Sequence, residues 1–133
     1  MTRTIWIIGT LGALIAVAAG AFATHGLEQA GDLHTAQIVR TGALYGLVHS
    51  LALMILAVLR PLVDRGLVAL DARLLMAAAG ALAAGAILFP GSLYLYAATG
   101  WRPLVFVTPV GGTAFLIGWV LATLAALRRP RKR

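Results

Sequence analysis

A chain of 133 residues makes one domain, and 61% of it is hydrophobic against 11% charged, where an ordinary soluble domain carries roughly 25% charged residues. Too few polar side chains remain to cover a globule in water, so a soluble protein is excluded and an integral membrane protein is expected. The lack of cysteine rules out disulfides, thiolate catalysis and Cys-ligated metals.

Four apolar runs, 4–23, 38–59, 74–98 and 104–127, each reach or exceed the roughly 20 helical residues that cross a 30 Å hydrocarbon core. None alternates apolar and polar residues as a transmembrane β-strand does. The expected fold is all-α: a single transmembrane domain over residues 1–133, built as a four-helix bundle. The first run ends in Ala21-Phe22-Ala23, which resembles a signal-peptide cleavage site. Its apolar stretch exceeds a typical signal core, and it is read as a retained helix.

Residues 24–37 then form an expected outer loop, partly helical, carrying His25, Glu28, Asp32 and His34. These are ligand types suited to zinc, but their spacing matches no standard site and no metal is assigned. Asp32 is placed to cap the second span by accepting the free amide hydrogens of its first turn. Arg60-Pro61 is expected to end that span. The third span contains Pro90, which cannot donate to the Ala86 carbonyl, so a kink is expected with Ser92 supplying a hydrogen bond. Thr108-Pro109 is expected to start the fourth span, with residues 104–107 extended. Trp101, Tyr94 and Tyr96 read as anchors at one interface, Trp6 at the other.

Of the eleven basic residues, nine fall on the side holding both termini and the 62–71 loop, and only Arg40 and Arg102 lie opposite. That asymmetry predicts cytoplasmic termini. It also reads the tail of Arg128, Arg129, Arg131, Lys132 and Arg133 as an anchor to anionic headgroups. Placed so, the net charge of +7 does not call for nucleic acid as a partner.

Small residues recur at helical spacing. Gly9, Gly12, Ala13, Ala16, Gly20 and Ala23 share one face of the first span, Gly42, Tyr45, Gly46 and His49 one of the second, and Gly111, Ala114, Gly118 and Ala122 one of the fourth. Lipid gives helices no hydrophobic reason to associate, so close backbone approach at such residues supplies dispersion contacts instead. The glycines Gly42, Gly46, Gly111 and Gly118 are therefore expected packing positions.

His49 lies about 11 residues into its span, near the bilayer midplane. It shares the small-residue face and is expected to point into the bundle, neutral and bonded to Tyr45, Ser92 or a carbonyl freed near Pro90. Intramembrane ionisable residues are functional candidates by default, so His49, Tyr45, Ser92 and His25 form the candidate polar cluster. A second candidate is an anion-binding helix start at Thr108, Gly111 and Gly112, with Arg102 nearby.

Four ordered motifs go further: Gly20-Ala21-Phe22-Ala23-Thr24-His25-Gly26-Leu27, the Tyr45-x-x-x-His49 pair, Leu88-Phe89-Pro90-Gly91-Ser92-Leu93-Tyr94-Leu95, and Val107-Thr108-Pro109-Val110-Gly111-Gly112. Together they resemble the YgdD-like family of small four-helix bacterial inner-membrane proteins, across nearly the whole chain. Two positions depart from that family's pattern: Thr24, where a small residue is usual, and Pro90, where serine is. The resemblance implies topology and an inner-membrane location, and it carries no substrate.

The four carboxylates all sit in loops by this reading and no catalytic motif occurs, so no enzyme activity is expected and no cofactor is called for. The favoured expectation is a structural or accessory protein that packs against itself or a larger membrane complex. The alternative is a protein that binds or transports a lipid, quinone, haem or small solute through the His49/Tyr45 cluster.

Overall fold

The computed structural model describes residues 2–128. Four helices, each long and apolar enough to cross a membrane, account for most of them: α1 (Thr2–Phe22), α2 (Leu33–Asp64), α3 (Ala72–Thr99) and α4 (Leu104–Leu127). Of the expected headgroup tail, Arg129, Arg131, Lys132 and Arg133 lie outside the described residues.

The contacts fix an up-and-down order. Gly9 of α1 lies against Met54 of α2, and Gly20 against Ala43, so those helices run antiparallel. Gly42 meets Tyr94 and Gly46 meets Pro90, which reverses direction again in α3. Gly85 meets Phe115 and Gly118 meets Leu82, reversing it once more. The start of α1 and the end of α4 therefore lie at one end of the bundle. Helices α2 and α3 hold the centre, with α1 packed on α2 and α4 on α3. Leu53 and Leu82 are fully buried, and Ala78, Ala79, Leu75 and Phe115 join them in the core.

The first connection differs from the expected outer loop. Helix α1 widens into a π-helical segment over Ala23–Glu28, and only residues 29–32 turn before α2 begins. The Leu27 carbonyl accepts from the Asp32 amide and that of Gly26 from Ala30. Gly26 makes room for the turn, because a Cβ there would stand 2.9 Å from the Phe22 ring. π-Helical turns of this kind are rare and frequent at functional sites. Gly31, at φ 83°, supplies the left-handed residue that redirects the chain.

Pro61 does not end α2, which runs on to Asp64. A proline one turn from the end forfeits a single backbone bond, and the actual stop is Gly66 at φ 71°. There the Leu67 amide closes back on the Leu62 carbonyl. Pro90 likewise sits inside an uninterrupted α3.

Two aspartates start helices. Asp32 Oδ1 accepts from the Thr35 amide at 3.1 Å. Asp71 Oδ1 accepts from Arg73 and Leu74 at 2.9 and 3.1 Å. Hydrogen bonds from Thr35 hold the Asp32 carboxyl below the usual carboxylate range, and the Leu74 amide, foremost, does so for Asp71. Lowered folded-state values mean that these caps are in place above the ordinary carboxylate range and are lost as pH falls through the depressed values. The Asp71 amide also donates to the Ala125 carbonyl at 2.9 Å, tying the end of α4 to the start of α3.

The fourth helix begins a full turn earlier than expected. Residues 104–107 are helical, and Pro103, at φ −57°, leads directly into α4. The Leu104, Val105 and Phe106 amides bond the carbonyls three residues back, a tight first turn that leaves Thr108 and Pro109 within the helix.

Candidate functional site

Two polar groups stand out, one deep in the bundle and one at its end, besides a separate Ser92–Thr108 pair and a buried Ser50 hydroxyl without a partner among the described residues. The deeper one centres on His49, which is 5% exposed. Its Nδ1 lies 2.7 Å from the Tyr45 carbonyl oxygen one turn back. A carbonyl can only accept, so Nδ1 carries the proton and Nε2 presents a lone pair. That lone pair is taken: the Trp119 indole nitrogen donates to Nε2 at 3.1 Å. The imidazole is thus neutral, with both nitrogens engaged by α2 and α4.

Aromatic rings enclose it. Phe115 stacks on the imidazole at 3.4 Å between centroids with planes 12° apart. Tyr45 lies parallel at 6.1 Å. Phe89 of α3 completes the group, 4.9 Å from Tyr45 and 5.7 Å from Phe115. Three helices contribute to one cluster, and α4, which otherwise packs on α3, meets α2 through it.

Ser92 is not part of that cluster. Its Oγ donates to the Phe89 carbonyl at 2.9 Å and pairs with Thr108 Oγ1 at 2.7 Å. Thr108 Oγ1 in turn donates to the Leu104 carbonyl at 3.3 Å. The expected link from His49 to Ser92 is replaced by the bond to Trp119. Nor does Ser92 serve the Ala86 carbonyl that Pro90 frees. Its reach is three residues back, which ends at Phe89.

Thr108, Gly111, Gly112 and Arg102 do not form a helix-start anion site. The free amides of α4 are at residues 104–106, already bonded, while Gly111 and Gly112 are interior residues of the helix. Gly111 has another use. A Cβ there would stand 2.5 Å from the Phe89 backbone nitrogen, so α3 and α4 touch backbone to backbone. Gly118 makes room chiefly for the Leu82 side chain, and Gly42 receives the ring of Tyr94. Tyr94 is therefore no interface anchor: its ring is wedged between α2 and α3, and its hydroxyl is buried with no partner among the described residues.

The second polar group lies at the end of the bundle opposite the start of α1 and the end of α4. Arg40 Nη2 sits 2.6 Å from Glu28 Oε1 and donates to Thr24 Oγ1 at 3.3 Å, joining α2 to the π-helical turn. His25 on that turn is exposed. Among the described residues no three His, Asp or Glu side chains converge as a metal-ligand set.

Trp119, Phe115 and the Glu28–Arg40 pair were absent from the sequence-derived candidates. Trp119 did carry a signal. Indoles favour membrane interfaces, so one placed far inside an apolar run needs a partner for its N–H.

A family model described as "Protein of unknown function (DUF423)" matches residues 19–112. The chain belongs to this family. The UPF0382 membrane protein YwdK of Bacillus subtilis is 37% identical over 123 residues, spanning 92% of this chain and 94% of its own length. The UPF0382 inner membrane protein YgdD of Escherichia coli K12 is 36% identical over 134 residues, spanning 98% and 95%. A UPF0382 membrane protein of Staphylococcus epidermidis is 35% identical over 123 residues. No solved structure matches. With four apolar helices and inner-membrane relatives over nearly its full length, this DUF423 protein is a multi-pass inner-membrane protein. The matched residues hold the π-helical turn, His49 and the Ser92–Thr108 pair, and stop short of Phe115 and Trp119.

Proposed function

We propose that the protein is a non-enzymatic accessory component of the membrane, one that packs laterally against itself or a larger membrane complex, with both termini in the cytoplasm. The observation that carries this reading is a stripe on the outer face of α3. Ala77, Gly80 and Ala84 are exposed at spacings of three and four residues; the exposed Ile87 closes this small-residue stretch, and the half-buried Gly91 lies one turn beyond it. A Cβ added at Gly80 or Gly91 would meet nothing within 4 Å. The glycines that α2 and α4 present are used within the chain, against Tyr94, Pro90, Phe89 and Leu82. The α3 stripe is not. In lipid, a Gly-x-x-x-Ala ridge such as Gly80–Ala84 favours close approach of another helix.

The state of His49 supports the same reading over a ligand site at the His49/Tyr45 cluster. With Nδ1 donating to Tyr45 and Nε2 accepting from Trp119, the imidazole has no free nitrogen for a haem iron or a relayed proton. The orientation rests on the basic-residue asymmetry.

Because the chain has no cysteine, Ala84→Cys reports contact at the stripe against a clean background. Oxidative cross-linking in native membranes should trap a dimer or an adduct with a second membrane protein. Gly80→Leu should abolish the product while leaving thermal stability intact. A monomer that carries a stoichiometric small molecule, unchanged by Gly80→Leu, would overturn the reading.

A further inference from the structure

Beside the Arg40–Glu28 pair lies a cleft of about 440 Å³, lined by Glu28, Leu33, Gln37, Arg40, Thr41 and Leu44. That is within the size range of small-ligand sites. We infer that it is a phospholipid-headgroup site selective for a zwitterionic lipid bearing a primary ammonium, with the phosphate on Arg40, the ammonium on Glu28 and an acyl chain running inward along Leu44. It is independent of lateral packing through α3, which lies on another face.

Depth is the first argument. The 32 residues of α2 make a rod of about 48 Å against a hydrocarbon core of about 30 Å. Centred in the bilayer, such a rod protrudes by about 9 Å, or six residues, at each end. Arg40, the eighth residue of α2, then falls at the boundary where phosphates meet acyl chains. Its side chain and that of Glu28 remain 50% and 32% exposed, so the pair faces the cleft rather than the interior.

Charge is the second. Arg40 meets Glu28 and Thr24 through one atom, Nη2. The remainder of the guanidinium fork suits the paired oxygens of a phosphodiester. A net anionic lipid would gain that contact but set its negative charge beside the Glu28 carboxylate. A trimethylammonium headgroup has the right charge and no N–H to donate. A primary ammonium has three donors and can bond the carboxylate while its own phosphate lies on the arginine. The site has one cation and one anion held by the fold, and so has the ligand.

Geometry is the third. The extra residue per turn in the Ala23–Glu28 π-helix sets the azimuth of Glu28. It brings the carboxylate over α2, where Arg40 is.

The test is native mass spectrometry of the full-length protein in mild detergent. It would be titrated separately with phosphatidylethanolamine, phosphatidylcholine and phosphatidylglycerol of matched acyl chains. The wild type should retain phosphatidylethanolamine about fivefold better than either of the others, the scale of one partly solvated charge-assisted hydrogen bond. Glu28→Gln should erase the preference over phosphatidylcholine and raise phosphatidylglycerol retention, since Arg40 then stands unopposed. Leu44→Trp, filling the apolar wall without touching either charge, should lower retention of all three. Equal retention of the three lipids by the wild type, or a Glu28→Gln protein with an unchanged preference, overturns the assignment. So does displacement of the lipid by soluble O-phosphoethanolamine at equal concentration, which would show that the acyl contact contributes nothing.

Discussion

Replacing His49 by leucine tests whether the midplane imidazole holds the bundle together. The Tyr45 carbonyl belongs to α2 and keeps its backbone partner one turn on, so its loss of the Nδ1 donor is minor. The Trp119 indole loses its acceptor across the helices, a bond of 3.1 Å. An orphaned donor costs about 1–3 kcal/mol when fully buried, while interhelical bonds in membranes average about 0.6 kcal/mol. Trp119 is 46% exposed, but that surface faces lipid, which offers no replacement acceptor, so the membrane average is the floor of the range. The stack on Phe115 adds about 0.5–1.5 kcal/mol. The sum is about 1–2.5 kcal/mol for His49→Leu. His49→Gln, which keeps an acceptor but loses the stack, should cost about half of that. SDS-induced unfolding in mixed micelles measures these differences. Pairing each variant with Trp119→Phe closes a double-mutant cycle whose coupling should be about 0.6–1.7 kcal/mol. A His49→Leu protein within about 0.5 kcal/mol of wild type, with no coupling to Trp119, would refute a structural role for this bond.

Gly111→Ala should destabilise the protein by about 1–3 kcal/mol, because the added methyl meets the Phe89 backbone and neither helix can yield locally. Gly80→Ala, with open space around it, should be neutral or slightly stabilising in the same unfolding assay, and Leu51→Ala on the exposed face of α2 should cost little. For orientation, Arg65→Cys and Trp101→Cys stand in exposed turns at opposite ends of the bundle. An impermeant maleimide added to cells with a permeabilised outer barrier should modify only Trp101→Cys, and modification of Arg65→Cys alone would reverse the topology.

The four spans were legible because length and apolarity are properties of a run, insensitive to which neighbour a residue meets. Helix ends were legible where a side chain makes its own cap. Asp32 was identified, and Asp71 follows the same chemistry. The ends set by backbone geometry were not. Pro61 reads as a stop and Thr108-Pro109 as a start, yet a proline tolerated in a terminal turn and a tight first turn after Pro103 depend on bonds that the sequence does not display. The π-helical turn is harder still. It arises where Gly26 accepts the Phe22 ring and Arg40 reaches back to Glu28, a contact twelve residues away in the chain.

The polar residues divide along the same line. His49 advertises itself because any imidazole in an apolar run needs partners, and its own helix supplies one at a fixed offset. The other partner, Trp119, is 70 residues distant and became identifiable only once α4 was seen to run antiparallel to α3 with Gly111 and Gly118 against it. Those glycines set how closely α3 and α4 approach. That approach decides whether the Trp119 indole reaches Nε2 at all. A methyl at Gly111 should therefore act on His49 without touching it, by lifting the indole off the ring. The packing glycines and the midplane histidine are one device, in which the first sets the distance at which the second can bond.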